Sequence, residues 1–310
     1  MMLVGEHAVL RGAQAIVVAI NRYIEVNLSP RTDRKIEICS AEFGIYLSSL
    51  DECTIAGPYE YILTAIKSYW HKIGCGFTLE INSGFSANVG FGSSAAVTVA
   101  TLGVLAAWLE DSANLMGLYK RAVKVVRLVQ GAGSGADVAA SVFGGVVSYK
   151  IRPLKIQKMA IDLPVVAVYS GYKTSTSTVI AAMETRRKQF PKIFSHLYTA
   201  LDHSSRNAVV AIRENNIARL GQIMNIQQGI LDALGVNNAT LMELVLALRA
   251  QPGIYGAKIS GAGLGDCILG VGNIEANTFP QNAEQKKRGI EQFSVAISQV
   301  GFSMRSCNSS

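Results

Sequence analysis

The sequence predicts an α+β protein built of mixed α/β layers, and three observations support this. Strand-like and helix-like segments interleave in both halves of the chain, which favours layers of sheet and helix over a helical bundle. The 310 residues are sufficient for two domains. With 49% hydrophobic and 16% charged residues, the chain can bury a substantial core and is not expected to be disordered.

In the N-terminal half, strands are predicted on both sides of two long helices. Residues 15–29 begin as an apolar run and then alternate, with Ile24, Val26 and Leu28 on one face, which predicts two strands or one long bent strand. Short apolar or alternating runs predict further strands at 35–39, 43–47, 77–81 and 146–151. Apolar residues at three- and four-residue spacing predict helices at 59–70, 93–109 and 113–130.

The C-terminal half is more helical. The same spacing predicts helices at 178–189, 193–215, 217–234 and 239–250, with a last helix near 289–300. Strands are predicted at 165–169, 256–260 and 266–271. We place the domain boundary between the strands at 146–151 and 165–169, which gives domains of residues 1–158 and 159–310.

Charge and cysteine content argue against several classes of protein. The formal net charge is +7, but the basic residues are dispersed, so we expect no nucleic-acid partner. The longest apolar run, 95–109, is too short to span a bilayer, and the N-terminus shows no secretion signal. Five cysteines without CxxC spacing favour reduced thiols in a cytoplasmic protein and no zinc site. They are Cys39, Cys53, Cys75, Cys267 and Cys307.

A glycine-spaced loop with two adjacent hydroxyls leads into the helix predicted at 93–109. Glycines let the backbone wrap around an anion, and the amides of a first helical turn lack intrahelical acceptors. Together they predict a phosphate site at the positive end of a helix dipole, where either serine can cap the helix or reach a phosphate-bound metal ion. A Ser-capped core helix is the alternative. The loop residues are Gly90, Phe91, Gly92, Ser93, Ser94, Ala95 and Ala96.

Two further glycine loops and one polar turn favour the phosphate-binding interpretation. The loop 131–137 ends at Asp137, whose carboxylate is expected to act as a base or as a plain helix cap. The loop 260–266 lies between two strands, and its glycines predict close approach to a ligand or a tight bulged hairpin. The N-terminal turn carries Glu6 and His7, and a lone histidine is more often structural than functional.

These four segments resemble four motifs of the GHMP kinase superfamily, both in their order along the chain and in their amino-acid sequences. They read GEHAVLRG from Gly5, GFGSSAA from Gly90, GSGADVAAS from Gly133 and KISGAGLGDC from Lys258. The resemblance covers nearly the whole chain. Mevalonate kinases are the members that the chain resembles most, with a further match at 224–228 and 234–236.

The resemblance implies an N-terminal domain of ribosomal S5 domain 2-like topology and a ferredoxin-like C-terminal domain, with ATP bound between them. It also implies roles for particular residues. These are Gly90, Phe91, Gly92, Ser93, Ser94, Ala95, Ala96, Gly261, Ala262 and Gly263 for ATP, Ser94 for Mg²⁺, Asp137 for acid–base catalysis, and Glu6, His7 and Thr176 for the acceptor.

The reaction that the resemblance implies is ATP-dependent phosphorylation of the mevalonate hydroxyl, a step in isoprenoid precursor synthesis. Phosphoryl transfer needs in-line positioning and stabilisation of charged oxygens more than covalent help from the protein. We expect ATP and Mg²⁺ as cofactors, a small-molecule substrate, a cytoplasmic location and no membrane partner, with a homodimer left open. Phosphomevalonate or the acceptor of another GHMP kinase is the alternative substrate.

The chain departs from mevalonate kinases at two positions. Their usual lysine ahead of the first strand would precede Met1, and the opening residues read as the second half of a strand, so we expect a mis-assigned or truncated start. Lys173 and Lys258 are the candidate replacements. A metal-binding glutamate is usual where this chain has Val126, and valine cannot ligate Mg²⁺. These departures leave open a catalytically impaired binding protein, and a nucleic-acid-binding S5-like domain is a further alternative.

Overall fold

The computed structural model describes residues 1–52, 54–55, 57–86, 89–111 and 114–305. In these residues, strands and helices interleave along the chain as the sequence predicts. The strands are β1 (Met2–Val4), β2 (Ala15–Val18), β3 (Ile24–Pro30), β4 (Lys35–Ser40), β5 (Gly44–Ser49), β6 (Phe77–Ser83), β7 (Val146–Ile151), β8 (Leu154–Met159), β9 (Val165–Tyr169), β10 (Ile254–Ser260), β11 (Cys267–Gly272) and β12 (Glu291–Ser294). The helices are α1 (Glu60–Lys67), α2 (Ser93–Trp108), α3 (Leu115–Gln130), α4 (Ala136–Phe143), α5 (Thr176–Gln189), α6 (Pro191–Arg213), α7 (Ile217–Leu234), α8 (Ala239–Arg249) and α9 (Ala283–Lys287).

The described strands form three sheets. One has the order β1-β2-β7-β8 and another the order β10-β11-β9-β12, and the neighbours in both are antiparallel. The third has the order β3-β6-β4-β5, in which β4 and β6 are parallel and the other pairs antiparallel. β2 and β3 are consecutive along the chain and belong to different sheets. They confirm the prediction of two strands within residues 15–29.

The chain divides into two compact units, each assembled from separated segments. The first unit comprises Met1–Asn21, Ala87–Phe91 and Gly144–Gln299, and it contains the first two sheets with α5 to α9. The second unit comprises Arg22–Ser86, Gly92–Phe143 and Val300–Ser310, and it contains the third sheet with α1 to α4. The predicted boundary at residue 158 divides the chain along its sequence, and it stays a prediction.

Capping residues define several helix ends. The side chains of Asn114, Asn216 and Asn238 each precede a helix and accept a hydrogen bond from a backbone N–H of its first turn. Gly131 and Gly235 follow α3 and α7 in the left-handed conformation that glycine adopts readily. These local signals explain why the predicted ends of α3 and α7 agree with the structure. The predicted start of α3 at residue 113 lies outside the described residues.

One predicted element is wrong, and one strand of the structure was not predicted. The segment 289–300 was expected to form a helix, but it contains β12, which pairs with β9 over Glu291 to Ser294. A short helix, α9, lies before it instead. The strand β8 was not predicted, because four of its six side chains are exposed and its partner β7 is what orders it. In both segments, strand pairing within a sheet determines the conformation of the backbone.

The edge strand β10 is covered by amide side chains of α7. The Asn225 Oδ1 atom accepts from the Ala257 N–H at 3.1 Å, and the Gln228 Oε1 atom accepts from the Ile259 N–H at 2.9 Å. Gly221 and Gly256 allow this close approach, because a Cβ on Gly221 would lie 2.4 Å from the Tyr255 carbonyl carbon and a Cβ on Gly256 would lie 2.0 Å from the Gly221 carbonyl oxygen. The helix thus satisfies backbone groups that an edge strand would otherwise leave open.

None of the helices in the described ranges combines the length and apolarity needed to cross a bilayer. The apolar α2 packs instead inside the second unit. Its residues Val99, Leu102 and Leu105 are buried there. The expectation of no membrane partner rests on composition and stays a prediction.

Two glycine-to-alanine substitutions in α7 separate packing from helix propensity. Both remove a flexible residue from a helix interior, which by itself stabilises by about 0.5–1 kcal/mol. We expect Gly221→Ala to destabilise by about 1–3 kcal/mol, because its methyl group would overlap the β10 backbone. Gly229→Ala meets nothing within 4 Å and should stabilise the protein. Urea unfolding of both variants is the measurement, and equal midpoints would contradict the close α7–β10 packing.

Candidate active site

In the second unit, the predicted phosphate-binding residues Ser93 to Ala96 lie at the N-terminus of α2. Gly92 is its N-cap, with a left-handed φ of 82°, and its carbonyl accepts from the Ala95 and Ala96 amides at 3.0 and 3.1 Å. Ser93 and Ser94 are therefore the first two helical residues, and the prediction that one of them caps the helix is wrong. Their amides lie at the positive end of the helix dipole, where an anion is stabilised.

Asp137 lies in the same unit and borders this helix end. It is the second residue of α4, after Gly135 with a φ of 83°, so it is not at the cap position. A Cβ on Gly92 would be 3.7 Å from the Asp137 Cβ and 3.9 Å from its Cγ. The Asp137 side chain is exposed. The second unit therefore brings together the positive end of a helix dipole and a carboxylate that can accept a proton.

The described residues contain no preformed metal cage. No group of three or more His, Cys, Asp or Glu side chains among them is arranged to hold an ion. Val126, at the position of the expected glutamate, is buried, with its Cγ1 3.9 Å from where a Cβ on Gly133 would lie. Mg²⁺ commonly takes one or two protein oxygens and completes its shell with phosphates and water. The hydroxyl of Ser94, the second residue of α2, is an oxygen donor of the kind that such a shell accepts.

In the first unit, the predicted ATP-binding residues Gly261, Ala262 and Gly263 lie in the glycine loop 261–265 between β10 and β11. Gly261 and Gly263 have φ of 99° and 91°. A Cβ on Gly263 would lie 2.4 Å from the Val236 carbonyl oxygen, which also accepts from the Leu264 N–H at 2.8 Å. Gly263 thus permits close approach of the protein's own backbone. Gly261, by contrast, faces open space, so a ligand can approach there.

Gly90 and Phe91 belong to this first unit. Gly90 has a φ of 77°, and a Cβ there would be 2.9 Å from the Asp266 side chain at the end of the glycine loop. Phe91 is buried and packs edge-to-face on Phe293, with ring centroids 5.0 Å apart. The Phe91 side chain is therefore a core residue, and the predicted role of Phe91 in ATP binding stays a prediction.

Glu6 and Lys258 form a fully buried ion pair that joins the N-terminal turn to β10. Their side chains are 1% and 0% exposed, and the Lys258 Nζ also donates to the Ile259 carbonyl at 2.5 Å. Burial raises the pKa of Glu6 and lowers the pKa of Lys258, while their mutual attraction opposes both shifts. The Glu6 Oε2 atom has no hydrogen-bond partner among the described residues. Lys258 is thus committed to Glu6 rather than available as a surface cation.

His7 makes a second link between the same two segments. Its Nε2 lies 2.9 Å from the Ala262 carbonyl oxygen and donates to it. Burial lowers the pKa of His7 to about 4, so the ring is neutral at physiological pH. The backbone of His7 has a left-handed φ of 59°. This histidine supports the glycine loop, and its predicted contact with the acceptor stays a prediction.

Gln227 is a buried residue of this region to which the sequence interpretation gave no role. Its Oε1 accepts from the Gly5 N–H at 3.0 Å, and its Nε2 donates to the Ser204 and Ser205 hydroxyls at 2.9 and 3.0 Å. Its segment, 224–228, resembles mevalonate kinases, but the resemblance assigned no role to this glutamine. Gln227 holds the start of the turn that carries Glu6.

Thr176 is the first residue of α5 and is exposed. Thr174, two residues before it, contacts the glycine loop, and its Oγ1 donates to the Leu264 carbonyl at 2.7 Å. The first unit therefore brings together the N-terminal turn, Gly90, the glycine loop and Thr174. The acceptor role of Thr176 stays a prediction.

The lowered pKa of His7 predicts a stability change at mildly acidic pH. Between the ordinary value of 6.5 and about 4, the unfolded chain binds a proton that the folded protein excludes. The free energy of unfolding should therefore fall as pH drops through this range, by roughly 1–3 kcal/mol from this group. The matched variant His7→Asn tolerates the left-handed backbone and does not titrate, so it should lose less stability. Identical urea-unfolding profiles from pH 7 to 4 would contradict the buried neutral ring.

The chain is similar to known kinases in sequence and in fold. The models of the GHMP kinase N-terminal and C-terminal domains match residues 60–145 and 208–292. A protein named mevalonate kinase from Thermococcus gammatolerans is 35% identical over 290 residues, covering 86% of this chain and 85% of that protein.

Two solved structures show how widely the fold is shared. Mevalonate kinase of Methanococcus jannaschii matches with a TM-score of 0.80 at 22% identity, covering 96% of this chain and 95% of that one. Phosphomevalonate kinase of Streptococcus pneumoniae matches with a TM-score of 0.75 at 19% identity, covering 95% and 96%. The predicted mixed α/β fold is confirmed, and the chain belongs to the GHMP kinase family.

Proposed function

We propose that the chain is an ATP-dependent kinase that phosphorylates the hydroxyl of mevalonate, giving 5-phosphomevalonate and ADP. The observation that carries the kinase chemistry is the Asp137 carboxylate beside the N-terminus of α2. The choice of mevalonate as acceptor is supported by the 35% identity to the relative named mevalonate kinase. The fold alone does not select the acceptor, because a phosphomevalonate kinase shares it.

In the mechanism that we propose, Asp137 accepts the proton of the attacking hydroxyl and orients its oxygen. The dipole and amides at the start of α2 stabilise the negative charge on the transferred phosphoryl group. The exposed position of Asp137 beside Gly92 lets a substrate oxygen reach both groups. We assign further phosphate contacts to Gly261, Ala262 and Gly263.

Ser94 is the residue that we propose as a protein ligand of Mg²⁺. The ion would neutralise charge on the β- and γ-phosphates. With Val126 in place of a carboxylate, the remaining ligands of the ion would be phosphate oxygens and water. Glu6, His7 and Thr176 are proposed on the acceptor side, with Glu6 and His7 also holding the glycine loop.

Cellular location and assembly are further proposals. We propose a cytoplasmic protein, supported by Cys39, Cys75 and Cys267 being free thiols among the described residues. Cys53 and Cys307 lie outside those residues. A homodimer remains a proposal that sedimentation would test.

A coupled ADP-release assay with mevalonate and 5-phosphomevalonate side by side tests the function. We expect turnover with mevalonate, and Asp137→Asn should lower kcat about 10²- to 10⁴-fold, the usual effect of losing a positioned base. The control Asp162→Asn removes a similar exposed charge between β8 and β9 and should keep normal kcat. Turnover of 5-phosphomevalonate alone would refute mevalonate as the acceptor. A fully active Asp137→Asn would remove Asp137 from the mechanism.

The metal role of Ser94 predicts a specific change in ion dependence. Ser94→Ala should raise the Mg²⁺ concentration for half-maximal rate by about tenfold, because one oxygen ligand is lost from an ion with few protein ligands. Ser93→Ala is the matched comparison one residue away in the same helical turn. Initial rates across a Mg²⁺ titration are the measurement. A larger shift in Ser93→Ala would move the ligand to that serine.

A further inference from the structure

The loop that leads to Asp137, residues 131–135, is rich in glycine and lies outside the core. Three of its five residues are glycines, and Gly131 and Gly135 have φ of 72° and 83°. A Cβ on Gly131 would meet nothing within 4 Å, and none of the five residues is buried. Glycine loses more conformational entropy on folding than any other residue, and burial offsets little of that loss here. The position of Asp137 therefore depends on the polar contacts that hold this loop.

Arg127, in the last turn of α3, makes three such contacts. Its Nε donates to the Gly133 carbonyl at 3.0 Å, and its Nη2 donates to the Ser134 carbonyl at 3.5 Å. Its own carbonyl accepts from the Gly131 N–H at 2.9 Å. The donors of a guanidinium lie in one plane in a fixed fork, so the two side-chain bonds orient two successive peptide groups. A single arginine thus holds the loop at its start and at its middle.

Ser134 extends this network to α4. Its hydroxyl accepts from the Ala136 N–H at 3.2 Å, and the Gly135 carbonyl accepts from the Ala139 N–H at 3.0 Å. Ala136 is the first residue of α4, and Asp137 is the second. The backbone is therefore hydrogen-bonded from the peptide groups that Arg127 orients to the helical turn that carries Asp137.

Two neighbouring side chains of α3 approach the same loop more loosely. The Gln130 Oε1 and Val126 Cγ1 atoms lie 3.6 and 3.9 Å from where a Cβ on Gly133 would be. The Gln130 Nε2 atom donates away from the loop, to the Tyr61 hydroxyl at 2.8 Å. Contacts at van der Waals distance limit how far the loop can move inward, but they do not fix the direction of its carbonyls. The hydrogen bonds of Arg127 do.

We propose that Arg127 is a positioning residue, which holds the loop 131–135 so that the Asp137 carboxylate keeps its place beside the N-terminus of α2. The inference rests on the proposed kinase function, because it takes Asp137 to be the proton acceptor. A base is effective only within hydrogen-bond reach of the hydroxyl, and a displacement of about 1 Å can slow a reaction by roughly 10²-fold. Arg127 is exposed, so water can satisfy the two carbonyls after its removal and the fold should persist.

A double-mutant cycle with Asp137 tests this role in the full chain. Arg127→Ala should lower kcat with mevalonate about 10- to 100-fold, while KM for ATP and the urea-unfolding midpoint stay close to those of the parent. In the Asp137→Asn background, the same substitution should change kcat less than about twofold, because the base that it positions is already gone. Rates are divided by the folded fraction, so that a loss of stability cannot imitate the effect.

Two further variants complete the experiment. Arg127→Lys keeps the charge but loses the planar fork, so it should restore only part of kcat. Lys124→Ala removes an exposed charge one turn earlier on α3, and no described contact links Lys124 to the loop. It should have the kcat of the parent.

Each outcome decides a different point. An unchanged kcat in Arg127→Ala, or an equal loss with and without the Asp137 carboxylate, would overturn this inference and leave the proposed function standing. A raised KM for ATP with unchanged kcat would also overturn it, because Arg127 would then act on the nucleotide. A parent without turnover, or a fully active Asp137→Asn, would overturn the proposed mechanism and this inference with it.

Discussion

Lys258 is fully buried in β10, and an ammonium in such a position requires an anion beside it. Glu6 supplies that anion from the N-terminal turn. The neutral ring of His7 donates a hydrogen bond to the carbonyl of Ala262, four residues after Lys258. Removing either charge would strand the other in an apolar environment. The ion pair therefore holds the N-terminal turn against β10, the strand that leads directly into the glycine loop. In this way it also helps to position the loop.

The glycines of the motifs serve two different physical purposes. Gly263 and Gly265 lack a side chain because the protein's own backbone, at Val236 and Thr174, occupies the space that a Cβ would take. Gly261 has a positive φ and open space around it. Only glycines of the second kind leave room for a ligand. A glycine-rich motif in a sequence cannot distinguish the two, whereas the structure separates them residue by residue.

Sequence periodicity predicted the long helices well, because amphipathic spacing and capping residues such as Asn216 and Gly235 are local signals. It failed at β12, where pairing with β9, more than a hundred residues earlier, decides the conformation. The prediction of the candidate site had the same limit, because long-range contacts leave no local signal. The glycine-rich order of motifs was visible in the sequence, but the hydrogen bond from His7 to Ala262 joins residues 255 positions apart. The role of Gln227 was missed for the same reason, since only the fold brings it to Gly5.

The contacts of α7 with β10 have a consequence for how this helix can vary between related chains. Asn225 and Gln228 are three positions apart, so both face the strand from one side of the helix. Inserting or deleting a single residue ahead of them would rotate that side by about 100° and withdraw both amides from the sheet edge. Side chains on the opposite surface of α7, such as the exposed Ile226, are free of this restriction. Homologues should therefore exchange residues there freely while keeping the length of the helix between Gly221 and Gln228 unchanged.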